Sequence, residues 1–339
     1  MILDKNILVT GGLGFIGSAF IRHIFSFKRF KGEIVNLDLG TYAADFNNLK
    51  EVSSNPSYVF YKGDINDFDF VNHLCNKYKI NMIVNFAAET HVDNSITSPN
   101  RFIKTNINGV FSLLEIIKKN PHIYLHHIST DEVFGSSKEG FINKFAAYNP
   151  SSPYSAAKAS ADHLIKSYHK TYGFKLSISY SSNNYGPCQN DEKFIPVIIN
   201  SCLDKNKYIP IYGNGKNVRN WIYVEDHVKA LWSFLNFNNE PFNTYSICGN
   251  NEVSNIDLIN LIINIISKKN MINADSLISK LRYVKDRLGH DFRYALKTDL
   301  NNDIFQMTKL NKGLEKTIDW YLETKNKIIN YKKGVYAFE

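Results

Sequence analysis

Two short stretches of the chain carry side chains that could do chemistry together. Tyr154 and Lys158 stand four residues apart, and on a helix that spacing places both side chains on one face. An ammonium beside a phenol favours the phenolate and lowers the phenol pKa from its usual value of about 10. The pair therefore predicts a tyrosine that takes a proton from a hydroxyl group at neutral pH.

The second stretch is Ser129-Thr130-Asp131-Glu132. Its two carboxyl groups exceed what the oxidation of an alcohol needs, so we expect oxidation to be only one step of the reaction. Elimination of water next to a ketone needs one acid and one base, and adjacent carboxyl groups can divide these roles when their environments differ. In isolation, Asp131 and Glu132 would more often be ordinary loop or helix-start carboxylates. Thr130 before them and Tyr154–Lys158 after them favour the chemical interpretation.

A glycine-rich stretch, Gly11–Gly17, follows an apolar strand pattern and precedes a helical one. Glycines permit a tight turn and the close approach of backbone N–H groups to a pyrophosphate. Asp38 ends the second strand pattern, 21 residues after Gly17, where a carboxylate would bind the adenosine ribose and repel a 2′-phosphate. The motif predicts a dinucleotide site that favours NAD over NADP. Asp64 is a candidate adenine contact, although a helix cap for the segment near Asp67 explains it nearly as well.

Apolar runs and helical patterns alternate along the first half of the chain. This alternation predicts an α/β protein with a Rossmann-type, doubly wound parallel sheet. Runs such as Ile83-Val84-Asn85-Phe86 are nearly continuously apolar, as expected for strands covered on both faces. The predicted strands are 6–10, 33–38, 58–62, 82–86, 124–129 and 175–181, and the predicted helices are 17–27, 67–78, 105–118 and 154–172, the last ended by Gly173.

The pattern changes after Asn184-Tyr185-Gly186-Pro187. Further helices are predicted near 196–202, 225–235, 254–267 and 308–326, and an apolar run at 245–248 is expected to return to the main sheet. We therefore predict a NAD-binding Rossmann domain over residues 1–185, with a returning segment at about 220–250. Residues 186–339 are predicted to form mainly a smaller α/β substrate-binding domain. From about Asn330 the chain fits either a loose tail or an interface segment.

Length, composition and charge argue against several classes of protein. The 339 residues suffice for about two domains. Lys and Arg are spread along the whole chain, so the net charge of +8 favours an ordinary basic surface over a nucleic-acid-binding one. No apolar run approaches the roughly 20 residues of a membrane span, and the N-terminal run is too short and interrupted for a signal peptide. We expect a cytoplasmic protein that binds neither nucleic acid nor a membrane.

The spacing of cysteine and histidine residues argues against a metal site. The cysteines are far apart in the sequence, at Cys75, Cys188, Cys202 and Cys248. This spacing predicts neither a disulfide framework nor a zinc site. His126 and His127 are adjacent in a predicted strand and point to opposite faces, so they cannot chelate one ion well. One core and one surface histidine is the expected arrangement.

Several segments of the chain match one known family. They are 10–18, 85–96, 128–135, 153–160, 182–187, 212–227 and 286–294. With these segments the chain resembles the extended short-chain dehydrogenases/reductases and, among them, the dTDP-glucose 4,6-dehydratases. The Thr-Asp-Glu sequence at Thr130 is typical of dehydratases rather than epimerases. The resemblance implies conversion of an NDP-glucose, in the first place dTDP-glucose, to the 4-keto-6-deoxy sugar nucleotide and water, with tightly bound NAD regenerated in each turnover.

The resemblance also implies a role for each catalytic candidate. Tyr154 would remove the proton of the glucose C4 hydroxyl, Lys158 would tune Tyr154 and hold the nicotinamide ribose, and Thr130 would bond the hexose near C4. Glu132 would then remove the C5 hydrogen, while protonated Asp131 donates to the C6 hydroxyl and water leaves. Because neighbouring residues at a strand end diverge in direction, the resemblance requires an irregular backbone after Thr130.

Further binding residues are implied at matching positions. Those for NAD are Gly11, Gly14, Phe15, Ile16, Gly17, Asp38, Leu39, Thr41, Asp64, Ile65, Phe86, Ala87, Ala88, Thr105, Tyr154, Lys158 and Asn184. Those for the nucleotide sugar are Thr90, Thr130, Asn183, Lys193, Phe194, Pro210, Tyr212, Arg219, Asn251, Arg287 and His290. The guanidinium groups of Arg219 and Arg287 would bind the diphosphate. Each substrate-binding residue could instead have a surface or capping role, and Asn183 and Asn184 could simply precede the turn at Gly186.

The chain departs from the family pattern near the nucleotide and subunit surfaces. Asn94, Tyr180, Asn220 and Leu288 stand where the family usually has Arg, Arg, Asp and Pro. None of these departures removes a catalytic group. They leave the identity of the nucleotide base and the subunit contacts open.

Three alternative functions also stay open. A UDP-glucose or other UDP-sugar 4,6-dehydratase would keep the chemistry and change the base. An NDP-sugar epimerase or decarboxylase would share the fold, but the Asp131–Glu132 pair argues against it. A non-catalytic NAD-binding protein would not need Thr130, Tyr154 and Lys158. The resemblance further implies a homodimer in which the helices containing Thr105 and Tyr154 pack against their copies in a four-helix bundle.

Overall fold

A computed structural model of the protein describes residues 2–237, 240–301 and 305–332. Its strands are β1 (Ile7–Thr10), β2 (Ile34–Asp38), β3 (Tyr58–Lys62), β4 (Met82–Asn85), β5 (Tyr124–Thr130), β6 (Leu176–Ser181), β7 (Asn183–Tyr185), β8 (Ile209–Tyr212), β9 (Val218–Tyr223), β10 (Phe242–Ile247), β11 (Glu252–Ser254) and β12 (Leu281–Val284). Its α-helices are α1 (Phe15–Phe25), α2 (Phe68–Lys77), α3 (Val92–Thr97), α4 (Pro99–Phe102), α5 (Gly109–Lys119), α6 (Pro153–Tyr172), α7 (Phe194–Leu203), α8 (Val224–Phe237), α9 (Asn255–Asn270), α10 (Ala274–Ile278) and α11 (Leu310–Lys332). Most of the tail predicted from about Asn330, residues 333–339, lies outside the described residues.

The central sheet is parallel throughout and has the strand order β10-β6-β5-β4-β1-β2-β3. The chain winds outward in both directions from β1 and β4, which is the doubly wound Rossmann arrangement. Apolar clusters cover both faces. One includes Leu113 and Ile165 on α5 and α6, and the other includes Phe20 and Leu231 on α1 and α8. Burial on both faces explains the continuously apolar strands, and the predicted fold class is confirmed.

The second half of the chain forms smaller layers and then rejoins the main sheet. β9 pairs with β7 and β11, and β8 pairs with β12. Packed beside them, α7, α9 and α11 enclose Ile198, Ile262 and Leu314. α8 packs on α1, and β10 pairs with β6 from Phe242 beside Leu176 onward. The predicted boundaries of the two domains stay predictions.

α6, the helix that carries Tyr154 and Lys158, has strong signals at both ends. Ser152 and Ser155 form a capping box, in which each side chain accepts from the backbone N–H of the other. The helix ends at Gly173, whose left-handed φ of 72° suits glycine. Tyr154 is thereby fixed in the first turn, and Lys158 follows one turn later on the same face.

The helix predicted at 105–118 is interrupted in the structure. α4 continues into a π-helical turn, Ile103–Asn108, before α5 begins at Gly109. This wider turn accommodates an extra residue. Within it, the Asn106 side-chain amide bonds the backbone N–H and C=O of Glu89 at 2.9 and 3.0 Å. Helical periodicity cannot reveal the interruption, because the partner of Asn106 lies in another segment.

Both adjacent histidines of β5 are buried. The expectation of one core and one surface histidine is therefore wrong. β5 lies between β4 and β6 in the interior of the sheet, so both of its faces are covered. His126 bonds the hydroxyls of Ser177 and Ser179 on β6, whereas His127 bonds the Asn85 amide on β4.

The described part of the chain has neither a membrane-spanning helix nor a metal-binding cluster. Among those residues, no helix is long and apolar enough to cross a bilayer. The same residues contain no group of three or more side chains that could hold a metal ion. All the cysteines lie within the described ranges, and none is paired in a disulfide.

Candidate active site

A cavity of about 400 Å³ opens at the carboxyl ends of β1, β2, β4, β5 and β6. Sheets of this kind bind ligands at this edge, where the strand order reverses. All the predicted catalytic residues line the cavity, namely Thr130, Asp131, Glu132, Tyr154 and Lys158. So do all the residues predicted to bind NAD, namely Gly11, Gly14, Phe15, Ile16, Gly17, Asp38, Leu39, Thr41, Asp64, Ile65, Phe86, Ala87, Ala88, Thr105, Tyr154, Lys158 and Asn184.

The glycine-rich turn between β1 and α1 leaves no room for side chains. Gly11 has a left-handed φ of 69°, and a Cβ on it would lie 2.6 Å from the Ala87 nitrogen. A Cβ on Gly17 would lie 2.4 Å from the Gly11 carbonyl oxygen. The turn brings the N-terminus of α1 to the cavity, and the first N–H groups of a helix have no partner within the helix. These residues therefore fit a dinucleotide pyrophosphate.

Asp38 closes one end of the cavity. Its carboxylate accepts from the backbone N–H groups of Leu13 and Gly40 at 2.9 and 2.8 Å. Burial raises the pKa of Asp38, and these two N–H groups oppose the increase. A carboxylate held in this way at the end of β2 suits the paired hydroxyls of a ribose.

Asp64 lies on the cavity wall near Asp38 but does not cap a helix. Its carboxylate accepts from the backbone and side-chain N–H groups of Asn66 at 2.9 and 2.8 Å. Asp67 caps α2 instead, by accepting from the Phe70 N–H. The capping explanation for Asp64 is therefore wrong, and its adenine contact stays a prediction.

The backbone turns abruptly after Thr130. β5 ends there, and a 3-10 helix, Asp131–Phe134, follows at once. The Thr130 hydroxyl caps this helix by accepting from the Glu132 N–H at 3.3 Å. Because the chain changes from strand to helix at this point, Asp131 and Glu132 both face the cavity. The irregular backbone that the resemblance requires is present.

The two carboxyl groups have different electrostatic surroundings. Burial, reinforced by the neighbouring Glu132 carboxylate, raises the pKa of Asp131 to about 8. Burial also raises the pKa of Glu132, but nearby cations oppose this increase. They are Arg219, Arg287 and Lys193. At neutral pH Asp131 therefore keeps its proton and Glu132 is the better candidate for the ionised group, which is the division that an acid and a base require.

Tyr154 is buried, with 8% of its surface exposed. Burial raises its pKa above the usual value, and the Glu132 charge adds to the increase, while hydrogen bonding with Thr130 opposes it. The sequence predicts the opposite shift, caused by Lys158. In this structure that prediction is wrong, because burial dominates the pKa of Tyr154 and the group that opposes the increase is Thr130 rather than Lys158.

The Lys158 amine is engaged elsewhere. Its Nζ donates to the Ile128 carbonyl at 2.5 Å and lies 3.0 Å from His127 Nε2. Burial lowers the pKa of Lys158 to about 8, and the Asp162 carboxylate opposes this decrease. Lys158 is thus held against β5 rather than presented to Tyr154 as a free cation.

A second cavity of about 220 Å³ shares part of its wall with the first. Pro210 and Tyr212, two of the predicted substrate residues, line this second cavity. The other substrate candidates on the wall of the first cavity are Thr90, Thr130, Asn183, Lys193, Phe194, Arg219, Arg287 and His290. Asn251 lines neither cavity. Its backbone bonds β9 through Trp221 and the side chain of Asn220.

Two cations among the predicted substrate-binding residues have partners within the protein. Arg287 forms a bidentate ion pair with Asp93, at 2.5 and 3.1 Å. Lys193 Nζ donates to the carbonyl and hydroxyl oxygens of Thr90, at 3.0 Å each. These contacts hold Arg287 where the two cavities meet and Lys193 on the wall of the first cavity.

Arg219 is held more deeply than the other two cations. It is 7% exposed and its guanidinium lies 4.3 Å from the Tyr294 ring centroid. It donates to the backbone carbonyls of Val218, Asp291 and Phe292. Arg219 is therefore a fixed positive charge, and it acts on Asp131 and Glu132 alike.

Sequence reasoning missed Trp221, which lines the second cavity. Its indole stacks on the Phe194 ring at 6.2 Å, and its Nε1 has no hydrogen-bond partner among the described residues. Asp93, the partner of Arg287, was also missed. Both lie inside segments that match the family, but nothing in the sequence indicates what either side chain contacts.

Comparison with known sequences identifies the family. The family model described as GDP-mannose 4,6 dehydratase matches residues 8–325. The dTDP-glucose 4,6-dehydratase of Escherichia coli is 40% identical over 353 residues, which cover 98% of this chain and 96% of that protein. The dTDP-glucose 4,6-dehydratase of Haemophilus influenzae is 41% identical over 336 residues, which cover 94% of this chain and 98% of that protein.

Comparison with solved structures agrees. The dTDP-glucose 4,6-dehydratase of Bacillus anthracis in complex with NAD gives a TM-score of 0.83 at 38% identity, covering 95% of this chain and 98% of that chain. DesIV, the dTDP-glucose 4,6-dehydratase of Streptomyces venezuelae with NAD and a dTDP ligand, gives a TM-score of 0.86 at 35% identity, again covering 95% of this chain and 98% of that chain. A UDP-glucose 4-epimerase from Thermotoga maritima, at 24% identity, shares the fold alone. With relatives of about 40% identity over nearly its whole length, the chain belongs to the dTDP-glucose 4,6-dehydratase family.

Proposed function

We propose that the protein converts dTDP-glucose to dTDP-4-keto-6-deoxyglucose and water. The observation that carries this proposal is the meeting of Tyr154, Asp131 and Glu132 in one cavity, with the two carboxyl groups in different electrostatic surroundings. Oxidation of an alcohol would need only the tyrosine. The two carboxyl groups supply the acid and the base that removal of water needs.

The reaction uses NAD, and bound NAD accepts the C4 hydride and returns it to C6. Gly11, Gly14 and Gly17 hold the pyrophosphate at the N-terminus of α1. Asp38 binds the adenosine ribose and repels a 2′-phosphate, which selects NAD over NADP. The related structures that contain NAD support this assignment.

Oxidation at C4 is assigned to Tyr154. Its phenolic oxygen takes the proton of the C4 hydroxyl, and the Thr130 hydroxyl orients the same substrate oxygen. Because burial and the Glu132 charge raise the pKa of Tyr154, the phenolate needs a cation nearby. Lys158 lies one helical turn away and supplies that charge when its amine turns from Ile128 toward the cavity.

Elimination is assigned to the carboxyl pair. Glu132 removes the C5 proton, which the C4 ketone makes acidic, and Asp131 gives its proton to the departing C6 hydroxyl. Glu132 then returns a proton to C5. At the end Tyr154 carries the C4 hydroxyl proton and Asp131 lacks one, so one proton must pass between them. We assign this transfer to Thr130, whose hydroxyl donates to Asp131 Oδ1 at 3.4 Å and opposes the rise in the pKa of Tyr154.

The nucleoside diphosphate is assigned to the second cavity and its rim. The aromatic side chains of Tyr212, Phe194 and Trp221 on its wall offer stacking surfaces to the base, and Arg287 and Arg219 offer positive charge to the diphosphate. We accordingly assign the substrate to a domain over residues 186–339 and NAD to a Rossmann domain over residues 1–185 with the returning segment at about 220–250.

The direct test incubates the purified protein with dTDP-glucose and, separately, with UDP-glucose, without added NAD, and follows each by mass spectrometry. We expect loss of one water from dTDP-glucose, with no net change in the redox state of the cofactor. Faster loss from UDP-glucose would reassign the base and leave the chemistry in place.

The control for this test is Tyr154→Phe, which removes the phenolic oxygen and keeps the ring. We expect turnover to fall by roughly 10²–10⁴-fold, with the helical circular dichroism unchanged. A C4 epimer formed without loss of water would instead favour the epimerase alternative. Absence of any product, with NAD added as well, would contradict the proposed function.

We also infer that the protein forms a cytoplasmic homodimer. Ile103 and Phe111, on the helical segment that contains Thr105, are 48% and 47% exposed. That segment packs against α6, so an apolar strip lies beside the helix that carries Tyr154. Contact between these helices and their copies would bury the strip in a four-helix bundle. The unpaired cysteines fit a reducing compartment.

A further inference from the structure

A hydrogen-bonded row of side chains runs beneath the cavity across β1, β4 and β5. Strand register places Thr10 beside Asn85 and Asn85 beside His127. Thr10 Oγ1 donates to Asn85 Oδ1 at 2.5 Å, and Asn85 Nδ2 lies 2.9 Å from His127 Nδ1. His127 Nε2 then lies 3.0 Å from Lys158 Nζ. All four residues are at most 3% exposed, so water does not compete for these bonds.

The row determines which nitrogen of His127 carries a proton. The Thr10 hydroxyl donates to the Asn85 side-chain oxygen, so the amide oxygen faces Thr10. The Asn85 NH₂ group then faces His127 Nδ1, which must accept. Burial is the main cause that holds the pKa of His127 well below its usual value. A neutral imidazole has a single N–H, and here that group is Nε2–H.

The Nε2–H group points at Lys158 Nζ. An ammonium has no lone pair and cannot accept a hydrogen bond. Lys158 must therefore meet His127 as a neutral amine, which accepts from Nε2–H and donates to the Ile128 carbonyl. Burial lowers the pKa of Lys158 to about 8, so the neutral amine is accessible near neutral pH.

The other charged group beside His127 and Lys158 is Asp162, from α6. Its Oδ1 lies 3.9 Å from His127 Nε2 and has no hydrogen-bond partner among the described residues. Its Oδ2 accepts from the hydroxyls of Ser129 and Tyr148. A carboxylate near Nε2 favours the proton on that nitrogen, so Asp162 and Asn85 select the same tautomer.

We propose that His127 is a positioning residue for Lys158, which it holds as a neutral amine against Ile128 and releases when that amine takes up a proton. A charged Lys158 loses its bond from Nε2–H and is free to turn toward Tyr154. His127 thus couples the charge of Lys158 to the direction in which the Lys158 amine points. The effect of His127 on turnover rests on the proposed function, whereas the protonation state of His127 does not.

The first test reads the tautomer directly. The holoenzyme is prepared with ¹⁵N-labelled histidine, and the His127 signals are assigned by their absence in His127→Phe. We expect Nδ1 to be unprotonated and Nε2 to carry the proton throughout roughly pH 6–9. A proton on Nδ1, or an imidazolium that appears as the pH falls through about 6.5, would overturn the proposal. This measurement needs no substrate, so it tests the His127 tautomer even if the proposed function fails.

The second test uses variants at His127. His127→Phe keeps a ring but removes both bonds, and we expect kcat to fall roughly 10- to 100-fold with KM nearly unchanged. His127→Gln offers an oxygen to Asn85 and an N–H group to Lys158, so we expect kcat within about threefold of the wild type. Equal loss in the Phe and Gln variants, or no loss in either, would contradict a positioning role.

His126→Phe is the matched control. His126 is the next residue on β5 and is equally buried, but it bonds Ser177 and Ser179 instead of Lys158. We expect this variant to keep kcat within about threefold while losing about as much stability as His127→Phe in urea unfolding. A fall in kcat that matches the His127→Phe result would assign the effect to disruption of β5 and overturn the proposal.

Discussion

Asp131 is 4% exposed, and its Oδ2 has no hydrogen-bond partner among the described residues. Glu132, the next residue, is only partly buried and has cations near it. The chain thus separates two similar acids by environment rather than by distance. Each acid can then be tested for a different proton transfer.

Glu132→Gln should separate oxidation from elimination. The amide cannot remove the C5 proton, whereas Tyr154 and Thr130 are unchanged, so oxidation at C4 should proceed. We expect rapid-quench mass spectrometry to detect bound sugar nucleotide that has lost two hydrogens but no water, and turnover to fall roughly 10²–10⁴-fold. Full turnover by this variant would show that another group is the C5 base.

Asp131 should make stability depend on pH. Its pKa is about 8 in the folded protein and about 3.9 when unfolded, so between these values the folded state binds more protons than the unfolded state. Stability then falls as pH rises from about 4 to 8. Asp131→Asn lacks this loss, and we expect the variant to be roughly 5 kcal/mol more stable than the wild type at pH 8 and nearly equal in stability at pH 4.

Urea unfolding at several pH values measures this effect. Asp191→Asn, which removes a carboxyl group at an exposed position, is the control. A constant difference between Asp131→Asn and the wild type at every pH would mean that Asp131 is not held protonated. In the wild type, kcat should also decline above about pH 8, as Asp131 loses the proton that it must donate.

At the scale of elements, Asn220 joins β9 to the loop before β11. Its Nδ2 donates to the Gly249 carbonyl at 2.6 Å, and its Oδ1 accepts from the Asn251 N–H at 3.1 Å. The family usually has Asp at this position, and Asp could make only the second bond. The amide therefore fits this loop, and β9 also carries Arg219 and Trp221 on the cavity wall.

Asn220→Asp should destabilise the protein although it restores the family residue. A carboxylate oxygen would face the Gly249 carbonyl, and we expect a loss of roughly 1–3 kcal/mol with a higher KM for the nucleotide sugar. Asn214→Asp is the control, because the exposed Asn214 uses only its oxygen, which accepts from the Lys216 N–H. Equal urea midpoints for the two variants would refute the predicted role of the amide.

The strands and the dinucleotide turn could be predicted because their causes are local. Strands buried on both faces are continuously apolar, and Gly11–Gly17 combines a tight turn with a helix start. β9 was missed because the buried Arg219 and Asn220 break its apolar pattern. The partner of Lys158 could not be predicted, since His127 lies 31 residues away and their contact depends on how α6 packs on β5.

For the whole molecule, the exposed strip on the segment before and along α5 bears on assembly. Phe111→Glu would place a charge in the proposed contact between copies, and burying an unpaired charge is costly. We expect sedimentation velocity to show the wild type as a dimer and this variant mainly as a monomer at micromolar concentration. Phe237→Glu, at a side chain that is 80% exposed on α8, should remain a dimer. A monomeric wild type would refute the assembly.

The π-helical turn at Ile103–Asn108 determines how the molecule responds to changes in chain length. Each residue rotates an α-helix by about 100°, so deleting one residue here would turn Asn106 away from Glu89 while the segment after it keeps its register. A single insertion or deletion in this turn would rotate the residues that line the cavity relative to the helix that follows them. Such a change would move Thr105, which lies in this turn and lines the cavity, while every other residue of the cavity wall keeps its identity.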